Sequence, residues 1–205
     1  GVDYDVLDQL KEEWKNKKKV DKSPALSMEN TKKDSIKTRK IAILLEDGFN
    51  HKELMEIQEF LKSEGAKSEI ISKMFGMRKS ADGKEVKPDK IHLTTASIMY
   101  DGLYIPGGKH IDALRKQGDV IHFINEAFKH CKPIGASGEA VELLGMSQMA
   151  GVKIASKEEG NKVKTDVGVV TLTDASNLVD FKEEFKKAIA QHRHWMREEK
   201  EMVPA

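Results

Sequence analysis

The chain has 205 residues, of which 39% are hydrophobic and 34% are charged. This length suits one domain with an appendage and is short for two full domains. Because its 35 Lys and Arg residues almost balance its 34 Asp and Glu residues, the net charge gives no reason to expect a nucleic-acid or membrane partner.

Cysteine content and hydropathy predict a protein of the reducing cytoplasm. The single cysteine, Cys131, cannot form an internal disulfide. No apolar run approaches the ~20 residues of a membrane span, and the first residues lack the basic and apolar pattern of a secretory leader. Since the sequence begins with Gly1 rather than Met, we expect further residues upstream of it.

The first segment predicts an amphipathic helix followed by a polar linker. Its apolar residues are spaced four apart on one helical face; they are Val2, Val6, Leu10 and Trp14. We assign residues 1–17 to a helix and residues 18–38, which include Pro24, to a linker that crosses a surface. The basic cluster Lys15–Lys19 is interpreted as a solvated helix end rather than a nucleic-acid patch.

From Lys40 onward, short apolar runs alternate with amphipathic segments, which predicts strands alternating with helices. The predicted strands are Ile41–Leu45, Lys67–Ser72, Asp101–Pro106, Pro133–Ala136, Val152–Ala155 and Val167–Leu172. The predicted helices run from His51 to a stop at Gly65, over Asp119–His130, and from Asn177 to about Arg197. Asp82–Gly83 predicts a β-hairpin beside the sheet. This alternation predicts an α/β fold over residues 39–205, a flavodoxin-like three-layer α/β/α sandwich with a mostly parallel sheet.

Three loops follow predicted parallel strands and converge at one edge of the sheet. They read E-D-G-F-N-H-K-E, P-G-G-K-H and S-G-E-A. Because ligands of such sheets gather at the carboxyl ends of the strands, these loops predict the position of a cleft.

The strands and loops around this cleft also carry a family resemblance. The segments are I-A-I-L-L with D-G-F-N-H-K-E-L, then L-Y-I-P-G-G, then K-P-I-G-A-S-G-E-A-V-E-L-L. Taken together and in this order, they resemble the PfpI/ThiJ superfamily, also called class I glutamine amidotransferase-like, over about Lys40 to Trp195. The resemblance implies a cysteine at the tip of the third loop, a carboxylate at the start of the first helix, and backbone amides near the double glycine.

On this chain the elbow tip falls at Gly138, between Ser137 and Glu139, and the acid position falls at Glu53. The amide positions of the cleft fall at Gly107 and Gly108. Since glycine has no side chain to attack a carbonyl, covalent catalysis of the protease, glyoxalase or deglycase type has no nucleophile. We therefore assign no catalytic residue and describe the elbow as degenerate.

The remaining candidates for chemistry favour structural roles. We interpret Ser137 as a hydrogen-bonded turn serine, Cys131 as a buried inert thiol, and Glu53 as a carboxylate that accepts backbone hydrogen bonds at the helix start.

The histidines do not predict a metal site. His51 and His110 could share the cleft mouth with Glu139, but their spacing fixes no metal geometry. His192 and His194, two apart on a predicted helix, are expected at the surface. We therefore expect no metal and no cofactor in this segment.

A narrower resemblance includes the linker. The segments S-P-A-L-S-M-E-N-T, D-S-I-K-T-R-K-I-A-I-L-L-E-D-G, P-G-G and E-A-F-K-H-C-K-P-I resemble the carboxyl-terminal region of large-subunit haem catalases. In those enzymes a flavodoxin-like domain without a working cysteine follows the haem-binding barrel and a helical domain. The resemblance implies that residues 1–17 are the last helix of the helical domain and that haem, with its ligands, belongs upstream.

The function implied by this resemblance is that of a noncatalytic domain in a parent chain that dismutes hydrogen peroxide at haem. The domain's expected role is structural, in stability, subunit packing and substrate access. Its expected partners are the catalase core domains and neighbouring subunits of a homo-oligomer, a tetramer in the parent. Two alternatives stay open: a freestanding superfamily enzyme that uses Glu53 with His51, and a holdase-like protein that binds exposed apolar surface.

Overall fold

The computed structural model describes residues 23–27, 30–149, 151–176 and 178–199. The helix predicted over residues 1–17 lies outside the described residues, as does part of the linker predicted over residues 18–38. In the described part of the chain, no helix is long and apolar enough to cross a membrane.

The strands and helices alternate along the described chain, as predicted. The strands are β1 (Lys40–Leu44), β2 (Lys67–Ser72), β3 (Arg78–Lys79), β4 (Glu85–Val86), β5 (Lys90–Ile91), β6 (Gly102–Ile105), β7 (Ile134–Ser137), β8 (Lys164–Asp166) and β9 (Val169–Leu172). The helices are α1 (His51–Ser63), α2 (Ile111–Leu114), α3 (Gly118–Lys129), α4 (Ala140–Leu144), α5 (Val179–Gln191) and α6 (Met196–Glu199). Short 3₁₀ turns cover His92–Thr94, Ser97–Met99 and Lys157–Glu159.

The main sheet has seven strands in the order β5-β2-β1-β6-β7-β9-β8. Every neighbouring pair is parallel except β8 and β9, which are antiparallel. The hairpin predicted at Asp82–Gly83 forms, because β3 and β4 pair as a separate two-stranded sheet. The mostly parallel sheet confirms the predicted α/β fold class.

Two hydrophobic clusters cover the two faces of the sheet. One contains α1 and α5, including Leu54, Phe181 and Phe185. The other contains α2, α3 and α4, including Phe128 and Leu143. The sheet is therefore the middle layer of a three-layer sandwich, whose central strands are apolar on both sides.

The topology also fixes where a cleft forms. The chain passes from β1 to β2 on one side and later returns to β6 on the other side of β1. The strand order reverses between β1 and β6, and a crevice at the carboxyl ends of the strands is expected at this point. The loop after β1 and the glycine pair after β6 therefore border the same crevice.

Two predicted elements are wrong. Val152–Ala155 is not a strand: the Lys153 amide donates to the Asp166 carboxylate and the Ala155 amide to the Thr171 hydroxyl. These amides thus bond to side chains of the β8–β9 hairpin instead of extending the sheet.

The long closing helix is also shorter than predicted. Helix α5 ends at Gln191, and a separate short helix α6 begins at Met196. The reason is that His192 has φ of 67°, a left-handed conformation that ends an α-helix.

Candidate functional site

The elbow between β7 and α4 has the geometry of a nucleophile-bearing turn but presents no side chain at its tip. Gly138 has φ of 58°, and its amide donates to the Leu172 carbonyl of the neighbouring strand at 2.8 Å. An ideal Cβ built on Gly138 would lie 3.5 Å from Glu53 Oε1. A side chain at the tip would therefore face the acid position, and glycine removes both that side chain and the strain of a left-handed residue.

Glu53 lies in the first turn of α1 and is buried beneath the elbow. Its Oε2 accepts the Gly107 amide at 2.8 Å and the Ser137 hydroxyl at 2.5 Å, and its Oε1 accepts the Asn50 side-chain amide at 2.6 Å. The cap of α1 is Asn50, whose Oδ1 accepts the Glu53 amide. Glu53 thus joins three separate chain segments at the crevice, and the backbone amide it accepts comes from another loop.

Burial raises the pKa of the Glu53 carboxyl, and the negative charge of Glu139 adds to that effect. The hydrogen bonds from Ser137 and Gly107 act in the opposite direction, because they stabilise the charged form. The pKa remains raised, so burial outweighs the donors.

The Ser137 hydroxyl in the elbow donates to Glu53, but the Ser137 side chain is buried inside the protein. The side chain is fully buried, and its Oγ lies 2.6 Å from the Tyr104 hydroxyl as well as beside Glu53. The Tyr104 ring packs against Phe181 and Phe185. A hydroxyl in this position has no path to a substrate, so the arrangement is a buried hydrogen-bond chain rather than a nucleophile with its base.

The two cleft amides donate to carboxylates of the chain itself. The Gly107 amide donates to Glu53, and the Gly108 amide donates to Glu139 Oε2 at 2.7 Å. A Cβ built on Gly107 would lie 2.8 Å from Glu139 Oε2 and 3.0 Å from Glu53 Oε1, so both carboxylates converge above this glycine. Amides that could stabilise a carbonyl oxygen in a reaction are therefore already engaged.

Glu139 also divides the mouth of the cleft. A pocket of about 360 Å³ on one side is lined by Lys52, Lys157 and the loop 173–176. A second pocket, of about 370 Å³, is lined by His51, Lys52 and Lys109. Lys52, Lys109 and Lys157 thus lie around the mouth of the cleft, whose interior holds the carboxylates of Glu53 and Glu139.

The prediction that His51 and His110 lie at the cleft mouth is confirmed for His51 and wrong for His110. His51 lines a pocket with Glu139, but His110 is buried. The Glu46 amide donates to His110 Nδ1, and Nε2 lies 2.8 Å from the Pro106 carbonyl. Both ring nitrogens of His110 thus bond to the backbone of the loops that follow β1 and β6. His110 therefore does not face the cleft.

The family model of the C-terminal domain found in long catalases matches residues 37–199 of this chain. The chain belongs to this family. Its curated relatives include the catalase of Alkalihalophilus pseudofirmus, 38% identical over 85% of this chain, and catalase-2 of Bacillus subtilis, 37% identical over 89%. The matches cover 23% and 24% of those proteins, so the chain spans about a quarter of their length.

Solved structures show which fold this catalase domain has. DJ-1beta of Drosophila melanogaster is similar with a TM-score of 0.68 at 17% identity, over 82% of this chain and all of that one. A ThiJ/PfpI domain protein of Brachyspira murdochii has a TM-score of 0.68 at 15% identity, over 75% and 97% of the two chains. The resemblance to the PfpI/ThiJ fold and the resemblance to the long catalases are both confirmed.

The cleft of this catalase domain does not fit haem, the cofactor implied for the upstream part of a catalase. Its interior holds the carboxylates of Glu53 and Glu139, whose charge opposes that of haem propionates. The nearby Tyr104 hydroxyl is buried and bonded to Ser137. Among the described residues, no group of three or more His, Cys, Asp or Glu side chains could hold a metal ion.

The two late histidines contradict their predicted surface position. His192 and His194 are both buried, because the chain folds back after α5 instead of continuing as a helix. His192 Nε2 lies 3.1 Å from Asp101, and His194 packs against Gly168. Cys131 is buried, as predicted, and burial raises the pKa of its thiol.

Two members of the site, Asn50 and Tyr104, were missed at the level of sequence. Asn50 had a usable signal, because Asn followed three residues later by Glu is a helix-start pattern. Tyr104 stands in an otherwise apolar strand run, where a single polar hydroxyl indicates a buried hydrogen-bond partner.

Proposed function

We propose that this chain is the noncatalytic C-terminal domain of a long catalase. The preceding part of that protein would dismute two molecules of hydrogen peroxide to two of water and one of oxygen at haem, in the cytoplasm. The observation that carries the proposal is the engagement of both cleft amides by Glu53 and Glu139, next to an elbow tip that has no side chain.

Three features of the cleft support a structural role over a chemical one. The Gly138 tip supplies no nucleophile, and the Ser137 hydroxyl is closed off under the elbow. The carboxylate of Glu139 occupies the position where an incoming carbonyl oxygen would accept the Gly108 amide. Family membership adds that such domains are found at the C-terminal end of long catalases.

The proposed role is to bury surface against the catalase core domains and against neighbouring subunits of a homotetramer. A domain with two well-packed hydrophobic clusters can act as a rigid body in such packing. Its position would also shape the route by which peroxide reaches haem.

The test compares the purified 205-residue chain with the full-length protein. The full-length protein should show a Soret band and evolve oxygen from hydrogen peroxide, and the 205-residue chain should do neither. Oxygen evolution by the chain alone would overturn the proposal.

A second assay addresses the enzyme alternative. Turnover of methylglyoxal or of a peptide by the chain should be absent, in wild type and in Glu53→Gln. The matched control is Glu59→Gln, which changes an exposed carboxylate on the same helix. Turnover that Glu53→Gln abolishes and Glu59→Gln preserves would show that the cleft is an active site.

A further inference from the structure

The connection between β5 and β6 is unusual for parallel strands. Crossovers between parallel strands of one sheet usually contain an α-helix that covers the sheet. Here the chain runs from Ile91 to Gly102 through two short 3₁₀ turns, His92–Thr94 and Ser97–Met99. These turns leave a groove of about 500 Å³ between themselves and helix α3. We call it the α3 groove.

Large apolar side chains are exposed along this groove. Leu93 is 82% exposed and Ile98 is 76% exposed, and both line it. The neighbouring Met99 is 48% exposed. Single exposed apolar residues are common, but a group of them beside a concave surface is typical of an interaction site.

The groove also contains a buried histidine. His92 lines the groove with only 8% of its surface exposed, and its ring meets Phe123 edge to face. Neither ring nitrogen has a partner among the described residues. An unpaired buried polar group destabilises the folded protein, because it loses its hydrogen bonds to water without replacement. A binding partner with a donor or an acceptor would remove part of this cost.

Two side-chain hydrogen bonds hold the wall of the α3 groove in place. The buried Lys132 ammonium donates to the Ser97 carbonyl at 2.6 Å. The Tyr100 hydroxyl donates to Glu69 at 2.7 Å. The second turn is thus anchored at its first residue, Ser97, and just after its end, at Tyr100, and the groove is formed before anything binds.

The rim of the groove is acidic, apart from its histidines. Asp119 and Glu126 lie on the α3 side of the groove, together with His122 and His130. Glu126 lies 3.3 Å from His130 Nε2. A segment that binds here is complementary when it carries apolar side chains on one face and Lys or Arg beside them.

We propose that the α3 groove docks an amphipathic, basic segment of the catalase polypeptide that precedes this domain. The inference rests on the proposed function. This chain spans 23% and 24% of its two quoted relatives, so roughly three-quarters of such a protein lies outside it. We expect that larger part to pack against this domain, and the α3 groove combines exposed apolar side chains, a buried imidazole without a partner among the described residues, and a complementary charge.

Another exposed apolar group provides an internal control. Met74, Phe75 and Met77 are each more than half exposed, in the loop after β2. Space around the adjacent Gly76 is open, with nothing within 4 Å of a Cβ built there. This loop tip offers exposed apolar side chains beside open space at Gly76.

The experiment measures amide hydrogen exchange in the full-length catalase and in the 205-residue chain. Amides of residues 92–99 should exchange at least tenfold more slowly in the full-length protein, and those of residues 74–77 should not change. Equal exchange of residues 92–99 in the two proteins would overturn the proposal.

Variants then separate docking from general stability. The full-length double variant Leu93→Ser with Ile98→Ser should lose the protection of residues 92–99, while Met74→Ser with Phe75→Ser keeps it. Since all four side chains are exposed, the 205-residue chain should keep its melting temperature with either pair. Retained protection in the first double variant would also reject the α3 groove as the docking site.

Further outcomes would show that a second copy of the chain occupies the α3 groove, or that the docking site or the proposed function is wrong. Protection of residues 92–99 in the 205-residue chain that rises with concentration, together with a dimer mass, would show a second copy and reject the proposed segment. A full-length protein with catalase activity but an unprotected groove would reject the docking site alone. Absence of catalase activity from the full-length protein would instead reject the proposed function.

Discussion

Gly108 shows how a single residue fixes the geometry of the cleft. Its φ is 121°, and a Cβ built on it would lie 2.4 Å from the Gly48 carbonyl and 2.9 Å from the Asn50 nitrogen. Its own amide donates to Glu139. The loops after β1 and β6 therefore approach as closely as they do because this position has no side chain.

We expect Gly108→Ala to destabilise the protein by at least about 2 kcal/mol, because the left-handed backbone costs roughly 1–2 kcal/mol and the clash with Gly48 adds to it. Gly118→Ala is the matched control: a Cβ there meets nothing within 4 Å, and the residue opens helix α3. Urea unfolding of both variants measures the difference. Equal midpoints for the two variants would contradict this account of the loop contact.

The positions of the candidate site could be predicted from the sequence, but the burial of its side chains could not. Local patterns place turns after the strands at Gly138 and at the glycine pair, and the family resemblance assigns the elbow tip to Gly138 and the acid position to Glu53. His110 was predicted at the mouth and is buried, because the Glu46 amide and the Pro106 carbonyl both bond to it. Glu46 lies 64 residues away from His110 in the chain, and no local pattern predicts such a contact.

At the scale of elements, the segment after α5 closes the fold through Arg197 in helix α6. The side chain is fully buried, and its guanidinium donates to three backbone carbonyls, those of Val167, Phe128 and Lys132, at 2.8–2.9 Å. The guanidinium also lies 4.3 Å from the centre of the Phe128 ring. It thus ties the end of α3 to the segments that lead into β7 and β9.

Arg197→Met should destabilise the protein by about 3 kcal/mol, because three buried carbonyls lose their donor. Arg197→Lys should recover only part of this loss, since a single ammonium cannot reproduce the planar fork. Thermal and urea unfolding measure both, with Lys129→Met, an exposed change at the end of α3, as control. A loss for Arg197→Met no larger than that of the control would show that α6 does not close the fold.

Elements were predictable where their patterns are long or strongly apolar. Strand β2 was predicted with its observed bounds, Lys67–Ser72. The end of α5 was not, because His192 adopts a left-handed conformation without glycine or proline to signal it. Val152–Ala155 has the composition of a strand, but side chains of the β8–β9 hairpin bind its amides. In both cases distant packing overrides a local preference.

At the scale of the whole molecule, the free energy of unfolding depends on pH partly through two buried histidines, His110 and His194. Burial lowers the pKa of both His110 and His194 to about 4. The negative charges of Glu46 and Glu139 oppose this effect at His110. A histidine with pKa near 6.5 when unfolded binds more protons in the unfolded state between pH 6.5 and 4, so stability falls as the pH falls through that range.

Glu53 changes the pH dependence of the free energy of unfolding in the opposite direction. Its raised pKa means that the folded state holds the proton at a pH where the unfolded carboxyl has lost it. Its contribution to stability therefore improves as the pH falls. Because burial also lowers the pKa of His92, three histidines oppose this one carboxyl, and we expect a net loss of stability in mild acid.

His110→Gln should separate these contributions. A glutamine amide can accept from the Glu46 amide and donate to the Pro106 carbonyl without titrating, so the fold keeps its contacts. Between pH 7 and pH 5, the variant should lose about 2 kcal/mol less of its free energy of unfolding than wild type. Urea unfolding at both pH values measures this, with His122→Gln, an exposed change, as control. If His110→Gln loses as much stability as wild type, His110 is not a source of the acid sensitivity, and the burial of its ring does not set the pH dependence of the fold.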